Sequence, residues 1–288
     1  MEMKKIIVTG AQGFLGSRVV DYYASNYMVY GLGHAELDIT DKQAVISKFC
    51  SLKPDVVIHC AAISDTGYSQ QHPEESEQIN LYGTVHVAEA CKACGAKLVY
   101  MSSDQVYNGN AEQGLLPESV EVHPVSVYGM HKLEAERRVE ALLADAVGLR
   151  LTWMYDLPDS TFKLNRNLLV NLLTTYMNHE QMHVAVREYR GITNVWDVVK
   201  RLEACFALPG GVYNFGCENS DTSFEVFMET ARMMRLPFPE NWIIPDSDRF
   251  PDHPRNLSMS IDKIRSLGID FPSLLEGIKQ ALSVYAVG

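Results

Sequence analysis

Gly10, Gly13 and Gly16 recur at every third position directly after the β-prone run Lys5–Thr9, where an apolar-periodic stretch, 14–25, begins. A strand that passes into a helix through glycine restricts the chain to few folds. Residues lacking a Cβ let the backbone turn tightly and let the helix approach its strand. The helix start left by such a turn presents unpaired amide donors, so Gly10, Gln12, Gly13, Phe14, Leu15 and Gly16 are the expected contacts of a pyrophosphate.

The alternation begun here continues. Met28–Leu32 reads as a second strand and 41–52 as a helix, with Thr40 or Asp41 as its cap. The run 56–60, Val-Val-Ile-His-Cys, is too short for a globular helix and rich in β-branched residues, which marks a buried strand. Helices are expected over 80–94 and 127–144, and strands over 97–101 and 149–154. Six or seven parallel strands joined by right-handed crossovers give an α/β fold, a doubly wound parallel sheet of Rossmann type with helices on both faces. The pattern loosens after Tyr155, at Pro158, Asp159 and Ser160, and an apolar helix follows over Leu168–Met177. A helix at 192–207 and a strand at 212–215 then return to the sheet. The expected organisation is a dinucleotide-binding domain, 1–154 with 192–216, and a smaller C-terminal substrate-binding lobe, 155–191 with 217–288.

Composition narrows the partners. A formal charge of -11 argues against nucleic acid or an anionic membrane surface, both of which need basic patches. No run approaches the roughly 18 apolar residues of a membrane span. The N-terminal apolar run is only Ile6-Ile7-Val8 with no small-residue cleavage site after it, so a cytoplasmic protein is expected. Six cysteines without framework spacing fit reduced thiols in that compartment. Cys91 and Cys94 form a CxxC, but they close a helix just before Gly95, whereas redox pairs use the positive helix N-terminus. Nine histidines without an HExxH or similar spacing give no metal site.

Tyr128 and Lys132 stand four apart on the 127–144 helix and therefore share a face. A free tyrosine has a pKa near 10, and a neighbouring ammonium favours its phenolate, so Lys132 is expected to tune Tyr128. A serine at the end of the 97–101 strand can hold a substrate oxygen while Tyr128 delivers a proton.

The Gly10, Gly13, Gly16 spacing together with Tyr128-Gly-Met-His-Lys132 resembles the extended branch of the short-chain dehydrogenase/reductase superfamily, over nearly the whole chain. The segments Leu37-Asp38-Ile39-Thr40-Asp41, His59-Cys-Ala-Ala62, Ser102-Ser-Asp-Gln-Val-Tyr107 and Pro254-Arg-Asn256 are similar to those of dTDP-4-dehydrorhamnose reductases and their relatives. The resemblance implies that Ser103, rather than Ser102, joins Tyr128 and Lys132 in catalysis. It implies that Asp38 and Ile39 flank an adenine, that Cys60, Ala61 and Ala62 line the cofactor, and that Asn80 supports Lys132. Ser103, Asp104, Tyr128, Trp153 and Arg255 are the expected substrate contacts, with Arg187 and Arg190 as further guanidinium groups suited to a diphosphate.

The implied activity is NAD(P)H-dependent reduction of a keto group on a nucleotide-linked deoxysugar, a small-molecule substrate, by a protein that is a candidate homodimer. Related dehydratases carry Asp-Glu where this chain has Asp104-Gln105, which argues against water elimination. An epimerase using the same Ser, Tyr and Lys is one alternative. A non-catalytic, NADP-binding subunit like the regulatory β subunit of methionine adenosyltransferase is another. Gly31-Leu32-Gly33-His34 offers neither acid nor arginine at the end of the second strand, which leans the cofactor from NAD toward NADP.

Overall fold

A computed structural model describes residues 3–158 and 161–283. Asp159 and Ser160, where the alternation was expected to break, lie outside the described residues. The chain divides into two compact units, one of 1–106, 124–150 and 199–213, the other of 107–123, 151–198 and 214–288.

The first unit is built on a six-stranded parallel sheet. Its strands are β1 (Lys5–Thr9), β2 (Met28–Leu32), β3 (Val56–His59), β4 (Lys97–Ser103), β5 (Val147–Leu151) and β6 (Gly211–Phe215), in the order β6-β5-β4-β3-β1-β2. In β1 the residues Ile6, Ile7 and Val8 are fully buried, because an interior strand of a parallel sheet is covered on both faces. Its longer helices are α1 (Phe14–Tyr23), α2 (Lys42–Leu52), α3 (Thr84–Cys94), α4 (Val127–Leu142) and α5 (Val195–Cys205), the last shared with the second unit. Their ends follow the capping chemistry. Asp41 accepts the amide of Ala44 at 3.0 Å, and Gly95 closes α3 in the left-handed region at φ 75°. Phe49 of α2, Val87 of α3 and Val139 of α4 join Ile7, Val57 and Leu98 in one buried cluster. Tyr23, at the end of α1, donates to Val199 O at 2.8 Å and so ties α5 alongside it.

Four local features differ from the sequence reading. The strand expected over 149–154 is two: β5 ends at Leu151, and Trp153–Tyr155 pairs in parallel with Ile192–Asn194 in the second unit. Thr152 makes the break, its hydroxyl held by Thr193 at 2.6 Å. The start of the expected 192–207 helix is therefore a strand, as its β-branched Ile192 and Thr193 favour. A π-helical turn, Glu77–Gly83, precedes α3. Segment 107–123, read as part of the first domain, is fastened within the second unit: Tyr107 donates to Asn214 at 2.9 Å, and Asn256 donates to Glu112 O at 2.9 Å.

The second unit also pairs Met182–Ala185 with Ile243–Asp246 and Glu188–Arg190 with Arg255–Leu257. Helices Leu168–Met177, Ser223–Met233 and Leu274–Ser283 belong to it. Among the described residues no helix is long and apolar enough to cross a membrane.

Candidate functional site

The glycine turn works by removing side chains where backbones meet. Gly10 has φ +65°, and a Cβ on it would lie 2.6 Å from Ala61 N; one on Gly16 would lie 2.2 Å from Gly10 O. Gly13 donates to Gly10 O at 2.9 Å and begins α1 with no side-chain cap. The amides of the first helical turn are thus left for a ligand. Beside them opens a cavity of about 310 Å³, lined by Gly10, Gln12, Gly13, Asp38, Ile39, Cys60, Ala61 and Ala62, and in addition by Gly33, His34, Leu37, Ile63 and Ile79.

The remaining expected cofactor contacts are not on that wall. Phe14 is stacked by the Arg18 guanidinium at 4.3 Å, Leu15 is buried, and Gly16 is packed against Gly10. Burial pushes the Cys60 thiol up to about 12, so it meets the cavity as a neutral group. Asp38 accepts from Thr40 N at 2.9 Å and Thr40 Oγ1 at 2.8 Å, and these bonds, helped by the nearby His34, hold its carboxyl below the usual range.

Glu36 was missed in the sequence. After β2 the chain turns back through Glu36 N to Gly33 O at 3.2 Å and Leu37 N to Gly33 O at 3.0 Å, and Gly33 N donates to Glu36 Oε2 at 2.9 Å. A carboxylate therefore does stand at the end of the second strand. The expectation of none there fails because the acid is brought back by a turn rather than carried on the strand itself.

Ser103 ends β4, and a 3₁₀ turn, Asp104–Tyr107, follows it. Ser126 caps α4, accepting Gly129 N at 3.1 Å. A Cβ on Gly129 would lie 2.4 Å from Gln105 O, so glycine there lets the first turn of α4 settle on the 3₁₀ turn. That approach brings Tyr128 beside Ser103, whose hydroxyl favours the ionised form of the phenol. Ser103 is also 3.1 Å from Asp104 Oδ1, to which the neutral Gln105 amide donates at 3.1 Å. Ser102 points the other way, as neighbours on a strand must. Its hydroxyl donates to Glu136 Oε1 at 2.5 Å, and Arg150 grips the same carboxylate at 2.7 and 3.0 Å.

Lys132 is buried, donates to Met101 O at 2.9 Å and lies 5.7 Å from the Tyr128 ring centroid. Burial lowers its pKa to about 8, against the opposing charge of Glu136. Tyr128 is pushed above its ordinary value, first by burial and then by the Asp104 carboxylate, with the Ser103 hydrogen bond pulling the other way. Burial and the Asp104 carboxylate, rather than Lys132, set the direction of the Tyr128 shift. Asn80, on the π-helical turn, makes no hydrogen bond to Lys132. It accepts from Ile63 N at 2.9 Å and donates to Ile63 O and Ser76 Oγ, each at 3.0 Å, so it fixes the cavity wall instead.

Trp153 and Arg255 belong to the second unit. The Arg190 guanidinium lies 5.2 Å from the Trp153 ring centroid. Arg255 is paired with Glu188 at 2.9 Å and stacked over Phe250, and Arg187 donates to Pro251 O. Among the described residues no group of His, Cys, Asp and Glu could hold a metal ion. Cys91 is buried at the end of α3, where burial raises its thiol pKa.

Comparison with known proteins adds three kinds of likeness. The RmlD substrate binding domain matches residues 3–287. Over 202 residues the chain is 29% identical to a dTDP-4-dehydrorhamnose reductase of Aggregatibacter actinomycetemcomitans, covering 69% of this chain and 66% of that protein. Over 284 residues it is 26% identical to methionine adenosyltransferase 2 subunit beta of Xenopus laevis, covering 92% and 83%. The matched stretch thus spans just under two thirds of the length of the reductase. Among solved structures, a dTDP-4-dehydrorhamnose reductase from Clostridium acetobutylicum superposes with a TM-score of 0.85 at 25% identity, covering 98% of this chain and 99% of that one. One from Bacillus anthracis, in complex with NADP, has a TM-score of 0.87 at 24% identity, with 99% of each chain covered.

Proposed function

This chain belongs to the RmlD substrate binding domain family, and we propose that it is an NAD(P)H-dependent reductase of a keto group on a nucleotide-linked deoxysugar, as its dTDP-4-dehydrorhamnose reductase relatives are named. The observation that carries the reading is Tyr128 set beside Ser103, with the Lys132 ammonium 5.7 Å from the tyrosine ring centroid, in the unit that holds the glycine-turned cavity. The fit to a dinucleotide rests on the backbone cradle: Gly10 and Gly16 let backbones meet where any Cβ would clash, and so hold the uncapped helix amides beside the cavity.

When bound, the nicotinamide supplies a hydride to the carbonyl carbon. Tyr128, kept protonated by burial, gives its proton to the carbonyl oxygen, while Ser103 donates a hydrogen bond to that oxygen and fixes it. The phenolate left on Tyr128 is stabilised by the Lys132 ammonium next to it. Gln105, an amide that donates to Asp104, offers no acid for water elimination. Asp104, Trp153 and Arg255 are the proposed substrate contacts, Arg255 acting as part of its pair with Glu188. A cytoplasmic location and a homodimer complete the reading, the former supported by Cys91, Cys205 and Cys217 as buried free thiols.

The test is oxidation of NADPH and NADH, followed by absorbance, with a dTDP-4-keto-6-deoxysugar as substrate and Tyr128→Phe beside the wild type. Turnover with one reduced cofactor consumed per product, falling by about 10²–10⁴-fold in the variant, is expected. Product without net consumption would make the protein an epimerase. The likeness to the methionine adenosyltransferase β subunit motivates a second reading, a binding subunit. Absence of turnover, with a stoichiometric protein complex that Tyr128→Phe leaves intact, would establish that reading instead.

A further inference from the structure

The turn that brings Glu36 back onto Gly33 places a carboxylate where a Rossmann sheet discriminates between its two cofactors. In such sheets an acid at the end of the second strand holds the adenosine ribose through its 2'-hydroxyl, while an arginine there accommodates a 2'-phosphate. We infer that Glu36 makes this protein select NAD(H) over NADP(H). The inference rests on the reductase reading for the presence of a nicotinamide cofactor, and goes beyond it in naming which one and why.

Geometry carries the argument. A Cβ on Gly33 would lie 2.7 Å from the Gln12 side chain and 2.8 Å from Glu36 Oε2, so the two side chains meet over Gly33, a residue of the cavity wall, with Glu36 just outside the lining. Gln12, His34 and Leu37 around them line that cavity. Oε2 is held by Gly33 N at 2.9 Å, and among the described residues Oε1 has no hydrogen-bond partner. Oε1 is thus an acceptor for a ribose hydroxyl on a side chain already fixed by its own backbone.

The surrounding charges point the same way. Among the described residues no lysine or arginine lines the cavity. Arg18 is turned back to Phe14 O at 2.7 Å and Lys42 is paired with Glu89 at 2.7 Å. His34, the basic side chain on the wall, faces Asp38, whose carboxyl it helps to keep ionised. A 2'-phosphate brought here would meet Glu36 and Asp38, with His34 the basic residue among the described lining to offset them. A ribose hydroxyl brings no such charge.

Dissociation constants of NADH and NADPH for wild type and Glu36→Gln, measured without sugar substrate by fluorescence titration or calorimetry, test the inference. Wild type binds NADH at least about tenfold more tightly. Glu36→Gln keeps an oxygen for the Gly33 amide, so its melting temperature stays unchanged, and the preference shrinks toward unity, mainly through tighter NADPH. NADPH bound as tightly as NADH by the wild type, or an unchanged ratio in the variant, overturns the inference while leaving the reductase reading in place. Failure to bind either dinucleotide overturns both.

Discussion

Ser102 and Ser103 are chemically identical neighbours, and the pleat of β4 alone gives them different work: one is spent on Glu136, the other faces Tyr128. Lys132, one helical turn beyond Tyr128, is the most informative side chain to titrate. Its ammonium, held in a buried place at a pKa of about 8, is present below that pH and lost above it. Turnover under saturating substrate is therefore expected to be flat toward neutral pH and to fall as pH rises through about 8, well below the value of a free lysine. A fall beginning only near 10 would contradict the buried placement. At this scale the sequence was most legible where spacing alone fixes geometry, as with the glycine turn and the Tyr128–Lys132 pair. It was least legible for Glu36 and Asn80, because the direction of a side chain after a turn depends on hydrogen bonds to Gly33 and Ile63 that no spacing encodes.

Two contacts between elements decide whether those residues meet. Gly129 lets α4 sit on the 3₁₀ turn, and Gly129→Ala, forcing a Cβ to 2.4 Å from Gln105 O, must move Tyr128 away from Ser103. Overpacking of this kind costs about 1–3 kcal/mol. A lower melting temperature and a loss of turnover larger than any change in dinucleotide affinity are expected. The Glu136–Arg150 pair, with side chains 4% and 7% exposed, ties α4 to β5. Arg150→Met leaves Glu136 charged and buried without its cation, and urea unfolding should show a loss of about 3–5 kcal/mol. Helices and strands of the sheet were legible from periodicity and caps, Asp41 and Gly95 among them. The division of 149–154 was not, since Thr152 breaks that run through a partner, Thr193, far along the chain.

For the molecule as a whole, His59 sets the response to acid. It is fully enclosed between Thr9, at 2.7 Å, and Thr84, at 3.1 Å. Burial, with a smaller push from Lys132, lowers its pKa to about 3. Between about 3 and the ordinary 6.5, the unfolded chain binds a proton that the folded one refuses, so stability falls as pH drops through that window. Melting temperatures measured from pH 7 to pH 4 should decline, and His59→Gln should remove part of the slope.

Which stretches belong together was the least legible property, because the allegiance of 107–123 depends on Asn214 and Asn256, each more than ninety positions away. That weaving has a consequence for the birth of the protein. The first unit takes its last segment from 199–213, and β6, the edge strand beside β5, ends at Phe215. A ribosome must therefore deliver about three quarters of the 288-residue chain before the sheet can close, with 107–123 and 151–198 already emerged and waiting for partners still to be synthesised. Neither unit can be released as a contiguous fragment by a single cut, so the two are inherited, translated and lost together.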